Sequence, residues 1–195
     1  MSNPAVEKAP ARIETTRYTL ASPPTGEFFE FATSARTSPD GMFRFVWTLA
    51  PGKTGPGLHT HDEETEFFEV VSGTIRIWID GEARDYGPGD VAVVRKGAAH
   101  RFLNPGAQPV VINVSLDGPR MEDVFLPVSV ATYGREARLV DVMRMMASMG
   151  KPYASRPARA FERAMMDGLV ATLKAVGLRS YPVVLGWDAD GGARG

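Results

Sequence analysis

The chain has 195 residues, 44% hydrophobic and 23% charged, with a formal net charge of −1. That length suits one sizeable domain, and the charge balance gives no footprint of a nucleic-acid surface. Cysteine is absent, which excludes disulfides, thiolate metal sites and cysteine nucleophiles and fits a reducing cytoplasm.

The N-terminal stretch MSNPAVEKAPARIETT lacks the apolar core of a signal peptide, and no run approaches a membrane span in length. Residues 1–15 read as a disordered or extended arm. Residues 16–118 then read as short strands and turns. EFFEFAT (27–33) is aromatic-rich, and MFRFVWTLA (42–50) puts Phe43, Phe45, Trp47 and Leu49 on one face. PGKTGPG (51–57) is a loop. TEFFEVV (65–71) and TIRIWI (74–79) flank Ser72-Gly73, and Asp80-Gly81 makes a tight hairpin into EARDY. GPGD (87–90) is another turn, followed by VAVVR, HRFLN (100–104) and VVINVSL (110–116). Many short strands with Gly and Pro turns predict a β-sandwich or barrel.

Residues 119–187 read as a helical extension packed on the barrel. REARLVDVMRMMASMG (135–150) puts Leu139, Val142, Met146 and Met149 at helical spacing, with Gly150 and Pro152 as stops. A second helix over 155–177 opens with Ser155 and Pro157 and closes at Gly177. The Met-rich faces are expected to pack on the barrel or on a second subunit, the sharper reading being a pliable lid over a pocket. Residues 188–195 read as a flexible tail.

Two of the three histidines, His59 and His61, are separated by one residue, so on an extended strand both rings point to one side. Glu66 stands where the next strand begins and shares a face with Phe68 and Val70. His100 follows 39 residues after His61, at the start of another strand. Three imidazoles and one carboxylate suit one divalent first-row metal: Fe, Mn, Co, Ni, Cu or Zn. Glu64 is a substitute ligand if the loop is shorter, and is otherwise expected to be solvated. Glu69 has the opposite parity and should face away.

Residues 59–73 and 89–104 resemble the two motifs of the cupin superfamily. The first is His59-Thr60-His61, four residues, Glu66, six residues, Gly73. The second is Gly89, five residues, Arg95-Lys96-Gly97, two residues, His100, three residues, Asn104. Arg95 replaces the usual proline of the second motif and is read as a surface residue. The resemblance implies a mainly β fold, a jelly-roll β-barrel with two or three C-terminal α-helices. It also implies His59, His61, Glu66 and His100 as metal ligands, and barrel edges covered in a homodimer.

Inward parity adds Phe68 and Phe102 to the wall beside the metal, with Phe45 and Trp47 as further candidates. An apolar, aromatic wall suits a planar or apolar organic substrate. The expected function is therefore a cytoplasmic, mononuclear metal-dependent oxygenase, with Fe(II) favoured, small-molecule substrate and O2 as partners, and Glu66 alternating between ligand and proton acceptor. Redox-neutral isomerase, cyclase, decarboxylase or dehydratase chemistry is the alternative, and a non-catalytic small-molecule-binding module is the third. Neither nucleic acid nor membrane is expected as a partner.

Overall fold

The computed structural model describes residues 10–22, 25–148 and 155–182. Ten strands come first: β1 (Thr19–Ser22), β2 (Glu27–Thr33), β3 (Phe43–Leu49), β4 (His59–Thr60), β5 (Glu66–Ser72), β6 (Ile75–Ile79), β7 (Glu82–Tyr86), β8 (Val91–Val94), β9 (His100–Leu103) and β10 (Val110–Leu116). They are followed by α1 (Arg120–Ala131), α2 (Leu139–Ser148), a two-residue strand β11 (Arg156–Pro157) and α3 (Ala160–Ala175). Two antiparallel sheets result, ordered β1-β2-β3-β10-β5-β8 and β11-β4-β9-β6-β7. The architecture is the mainly β one expected, with helices following the strands.

Alternation along the strands builds the core. Phe43, Phe45, Trp47 and Leu49 of β3, Phe68 and Val70 of β5, Ile75 and Ile77 of β6, and Ile112, Val114 and Leu116 of β10 are all buried in one cluster. Burying each such side chain is worth about 1.5–3 kcal/mol. Gly73 sits at the β5–β6 turn with φ +81°, and a Cβ there would lie 2.9 Å from Val110 Cα. Both the left-handed backbone and the close approach of β10 require glycine at this position.

On the outer face of β10, Asn113 accepts a hydrogen bond from Ile13 N at 3.1 Å and donates to Ala11 O at 3.0 Å. This clasp holds the described part of the N-terminal arm in place. Asn113 also donates to Glu69 Oε2, so Glu69 faces away from Glu66, as strand parity requires.

The C-terminal region differs from the sequence reading in three ways. The helix predicted to open at Ser155 opens instead at Ala160, and Arg156–Pro157 is a strand paired with β4. The proline ring biases the residue before it toward extended backbone, so Arg156 reads as strand and the helix waits three residues. Gly177 does close α3, with φ +82°.

Two members of the apolar stripe expected on α2, Leu139 and Val142, face outward in the single chain. Leu139 is 75% exposed and Val142 37% exposed, while Asp141 and Ala147 are buried. Met149, Gly150 and Pro152, and the side chain of Met146, lie outside the described residues. Asp141 turns inward because Arg135, the Arg138 amide and the Tyr181 hydroxyl all donate to it.

Helix α1 had no helical pattern of its own in the sequence, because Pro127 interrupts it. Its buried Met121, Val124, Leu126 and Val128 join the barrel core.

Candidate metal centre

Strand β4 carries His59, with His61 directly after it; β5 opens with Glu66 and β9 with His100. Antiparallel pairing sets His59 opposite His100. The three imidazole rings lie with centroids 4.1–5.2 Å apart, and their ligating nitrogens fall within 4.8 Å of one another. All three histidines are buried. Glu66 Oε2 lies 3.2 Å from His61 Nε2 and 3.1 Å from His100 Nε2. Three of the predicted residues, the histidines, form one cluster, and Glu66 stands beside His61 and His100.

Backbone carbonyls set the tautomers. His59 Nδ1 lies 2.8 Å from Gly57 O, and His100 Nδ1 lies 3.1 Å from Ala98 O. A carbonyl oxygen only accepts, so each Nδ1 carries the hydrogen and donates. The neutral ring then has a lone pair on Nε2, the form in which imidazole binds metals. Burial, with His100 and His61 alongside, lowers the His59 pKa to about 3, which keeps that ring neutral.

Glu66 Oε2 and His100 Nε2 are both buried and meet at 3.1 Å without hydrogen-bond alignment. A carboxylate oxygen and an imidazole lone pair repel unless a cation lies between them. The donor set therefore fits a divalent metal: three buried histidines that could hold the ion, with a carboxylate at their side.

The surrounding structure fixes this geometry. Gly97 N donates to His61 O at 2.7 Å, tying the second motif to the first. The turn closes through Ala98 N donating to Arg95 O at 3.0 Å, so it forms without the usual proline, and Arg95 itself is exposed. Asn104, fully buried, donates to Leu49 O and Gln108 O and accepts from Gly106 N. Asp62, next to His61, accepts from Arg156 Nε of β11 at 2.6 Å.

Glu64 is neither solvated nor grouped with the histidines. It is 2% exposed and accepts from Arg120 N at 2.6 Å and Met121 N at 3.0 Å, capping α1 from a distant segment. The orphan amides and positive dipole end of a helix draw a carboxylate, and Pro119 before them has no side chain to serve. Burial raises the Glu64 pKa to about 7, against the pull of those two amides. Gly118 makes room, since a Cβ there would sit 3.1 Å from Glu64 Oε1.

Phe102 packs beside the imidazoles, 5.4 Å from the His100 ring and 6.0 Å from His59. Trp47 and Phe68 each lie 5.1 Å from Phe102. Phe45 belongs to a second group, with Phe29, Phe31, Phe43 and Phe125 as its ring neighbours. A cleft of about 620 Å³ runs along the 54–58 loop to β9 and α3, where Phe102, Arg101 and Arg159 line it. Sequence reasoning missed both arginines and the carboxylate Glu27, which is buried beside Trp47 and Gly55. Its strand parity with Phe29 was the available signal.

The family described as "Cupin domain" matches residues 45–117. The chain is 30% identical over 105 residues to the "Probable oxidoreductase patJ" of Aspergillus clavatus, covering 49% of this chain and 32% of that protein. It is 30% identical over 88 residues to the mannose-1-phosphate guanylyltransferase of Escherichia coli, covering 45% of this chain and 18% of that protein. These matches span a third or less of the length of the curated relatives. Among solved structures, KdgF from Halomonas sp. is 22% identical, with a TM-score of 0.43, covering 50% of this chain and 82% of that one. No helix among the described residues is long and apolar enough to cross a membrane. Both motifs lie inside residues 45–117, the stretch that matches the cupin domain family, and fold around one buried histidine cluster.

Proposed function

We propose that this protein is a mononuclear metal-dependent enzyme in which His59, His61, Glu66 and His100 hold one divalent transition metal, Fe(II) by preference, and that it oxygenates a small, largely apolar or enolisable organic substrate. One observation carries the reading: inward Nε2 lone pairs and a buried carboxylate converge beside an aromatic wall of Phe102, Trp47 and Phe68. A redox-active metal in that position supplies Lewis acidity and access to O2 chemistry.

The chain's own residues do the rest. Phe102 offers a flat apolar face next to the imidazoles, which orients a planar substrate and excludes water. Glu66 Oε2, beside His61 Nε2 and His100 Nε2, is placed to serve as ligand or as proton acceptor for an enolisable carbon or hydroxyl. The carbonyls of Gly57 and Ala98 keep two rings in their ligating tautomer throughout. The resemblance to a probable oxidoreductase supports the redox reading.

Redox-neutral isomerase, cyclase, decarboxylase or dehydratase chemistry is the second reading; Arg101 in the cleft favours it by suiting an anionic group, while Arg159 there pairs with Glu162 at 3.2 Å. Oxygen uptake by the Fe(II)-loaded protein decides between them across a panel of flavonols, diketones and catechols. Uptake above background supports the oxygenase. Background uptake with Fe, Mn, Co, Ni and Cu alike, together with conversion of an anionic substrate without O2, would overturn it.

A further inference from the structure

The strand that carries the HxH motif is only two residues long, below the usual range for strands, so it cannot be held by its own ladder. On one side it meets β9 at the single pair His59 and His100. On the other side it is bound by the C-terminal segment: Arg156 pairs with Thr60, Pro157 with His59, and Ala158 N donates to Leu58 O at 3.1 Å. The Arg156 guanidinium then closes on Asp62, Nε to Oδ1 at 2.6 Å, with both side chains about three-quarters buried. Residues 58–62, which include both histidines of the motif, are thus bracketed by a strap from nearly a hundred residues away in the chain.

The strap lies outside the cupin domain, and α3 directly after it buries only Leu173. Arg163 of α3 donates to Ala158 O at 2.9 Å, and in the sheet β4 is the strap's one neighbour. Two elements that each stabilise the other's backbone must share free energy with whatever either one binds.

We propose that Arg156–Ala158 is a positioning element of the metal centre, and that metal occupancy and docking of this strap are thermodynamically linked. The inference rests on the metal-site reading above. Without the strap, β4 becomes an edge strand held at one pair, and His59 and His61 lose their fixed separation. With a metal bound, β4 is held still, and the strap has a fixed edge to pair with.

The test uses the full chain, stripped of metal by chelation, with Co(II) as probe. Affinity is read by competition with a chromophoric chelator, and ligand geometry by the Co(II) visible spectrum. Arg156→Ala is expected to weaken Co(II) binding by about tenfold or more, the usual effect of losing an outer support of a metal ligand. The charge-reversed pair Asp62→Arg with Arg156→Asp is expected to restore most of the affinity and the spectrum. In the wild-type chain, Co(II) is expected to slow amide exchange across residues 156–160. That measurement decides the matter even if Arg156→Ala fails to fold. Equal Co(II) affinity in wild type and Arg156→Ala, or exchange at 156–160 indifferent to Co(II), would overturn the linkage while leaving the metal site standing. A wild-type chain that binds no Co(II) would overturn both.

Discussion

Asn104 closes the second motif and offers a sharp test of how the scaffold holds the site. Its amide makes three hydrogen bonds, each at 2.9 Å: Nδ2 donates to Leu49 O and Gln108 O, and Oδ1 accepts from Gly106 N. Its backbone holds the 51–57 loop, donating to Lys53 O and accepting from Gly52 N. That loop leads to Gly57, whose carbonyl fixes the His59 tautomer. Asn104→Ala removes all three side-chain bonds from a site with no solvent access. At a net value near 1 kcal/mol per bond, the loss is about 2–4 kcal/mol, the upper end applying if water cannot enter. Asn104→Asp keeps the shape but sets a carboxylate against two carbonyl oxygens, so it should cost more at neutral pH than in acid. Urea denaturation followed by circular dichroism measures both, with an unchanged slope required for the comparison. A loss below about 0.5 kcal/mol for Asn104→Ala, the range of ordinary surface substitutions, would refute the anchoring role.

Three further outcomes follow from the same structure. Arg135 first, then the Tyr181 hydroxyl and the Arg138 amide, hold the Asp141 carboxyl below its ordinary range. Its stabilisation is present above the unfolded pKa of about 3.9 and lost as pH falls through the depressed folded value. Asp141→Asn should therefore cost about 1.5–3 kcal/mol at pH 7, the gap narrowing in acid melts; a gap constant with pH would contradict this. Glu27 is pushed the other way by burial, against the pull of Thr25 and Trp47, so its ionisation opposes folding as pH rises above its unfolded value. Glu27→Gln should gain in Tm relative to wild type between pH 4 and pH 7, and a relative loss would show that the carboxylate is stabilised instead. In solution we expect a homodimer, with exposed Val91 and Val93 on the edge strand β8 and Phe161, Met165 and Leu169 on α3 as candidate surfaces. Light scattering giving a monomer mass would refute it.

The barrel was legible because its signals are local. Period-two alternation in FRFVWTL and EFFEVV fixes which side chains turn inward, and Gly73 and Asp80-Gly81 fix where the chain reverses. The histidines were legible from their motif spacing, although β4 ends at Thr60 and His61 reaches the cluster from just beyond it. What escaped the sequence depends on contacts between distant segments. Glu64 caps a helix that starts 56 residues later, which no local pattern announces. The strand at Arg156–Pro157 exists because β4 offers it an edge, and in isolation Ser-x-Pro reads equally well as a helix start. The burial of Asp141 on α2 was not legible either, since it depends on Arg135 and Tyr181 meeting it from other segments.

The most direct test of the central claim is elemental analysis of protein purified without added metal, set beside the His61→Ala variant. His61→Ala removes one of the three imidazoles while leaving the folded barrel's core untouched. The account predicts about one redox-active divalent metal per chain in the wild type, lost in the variant, with zinc shifting weight toward redox-neutral chemistry. Unchanged metal content in His61→Ala, or no metal in either protein, would contradict it.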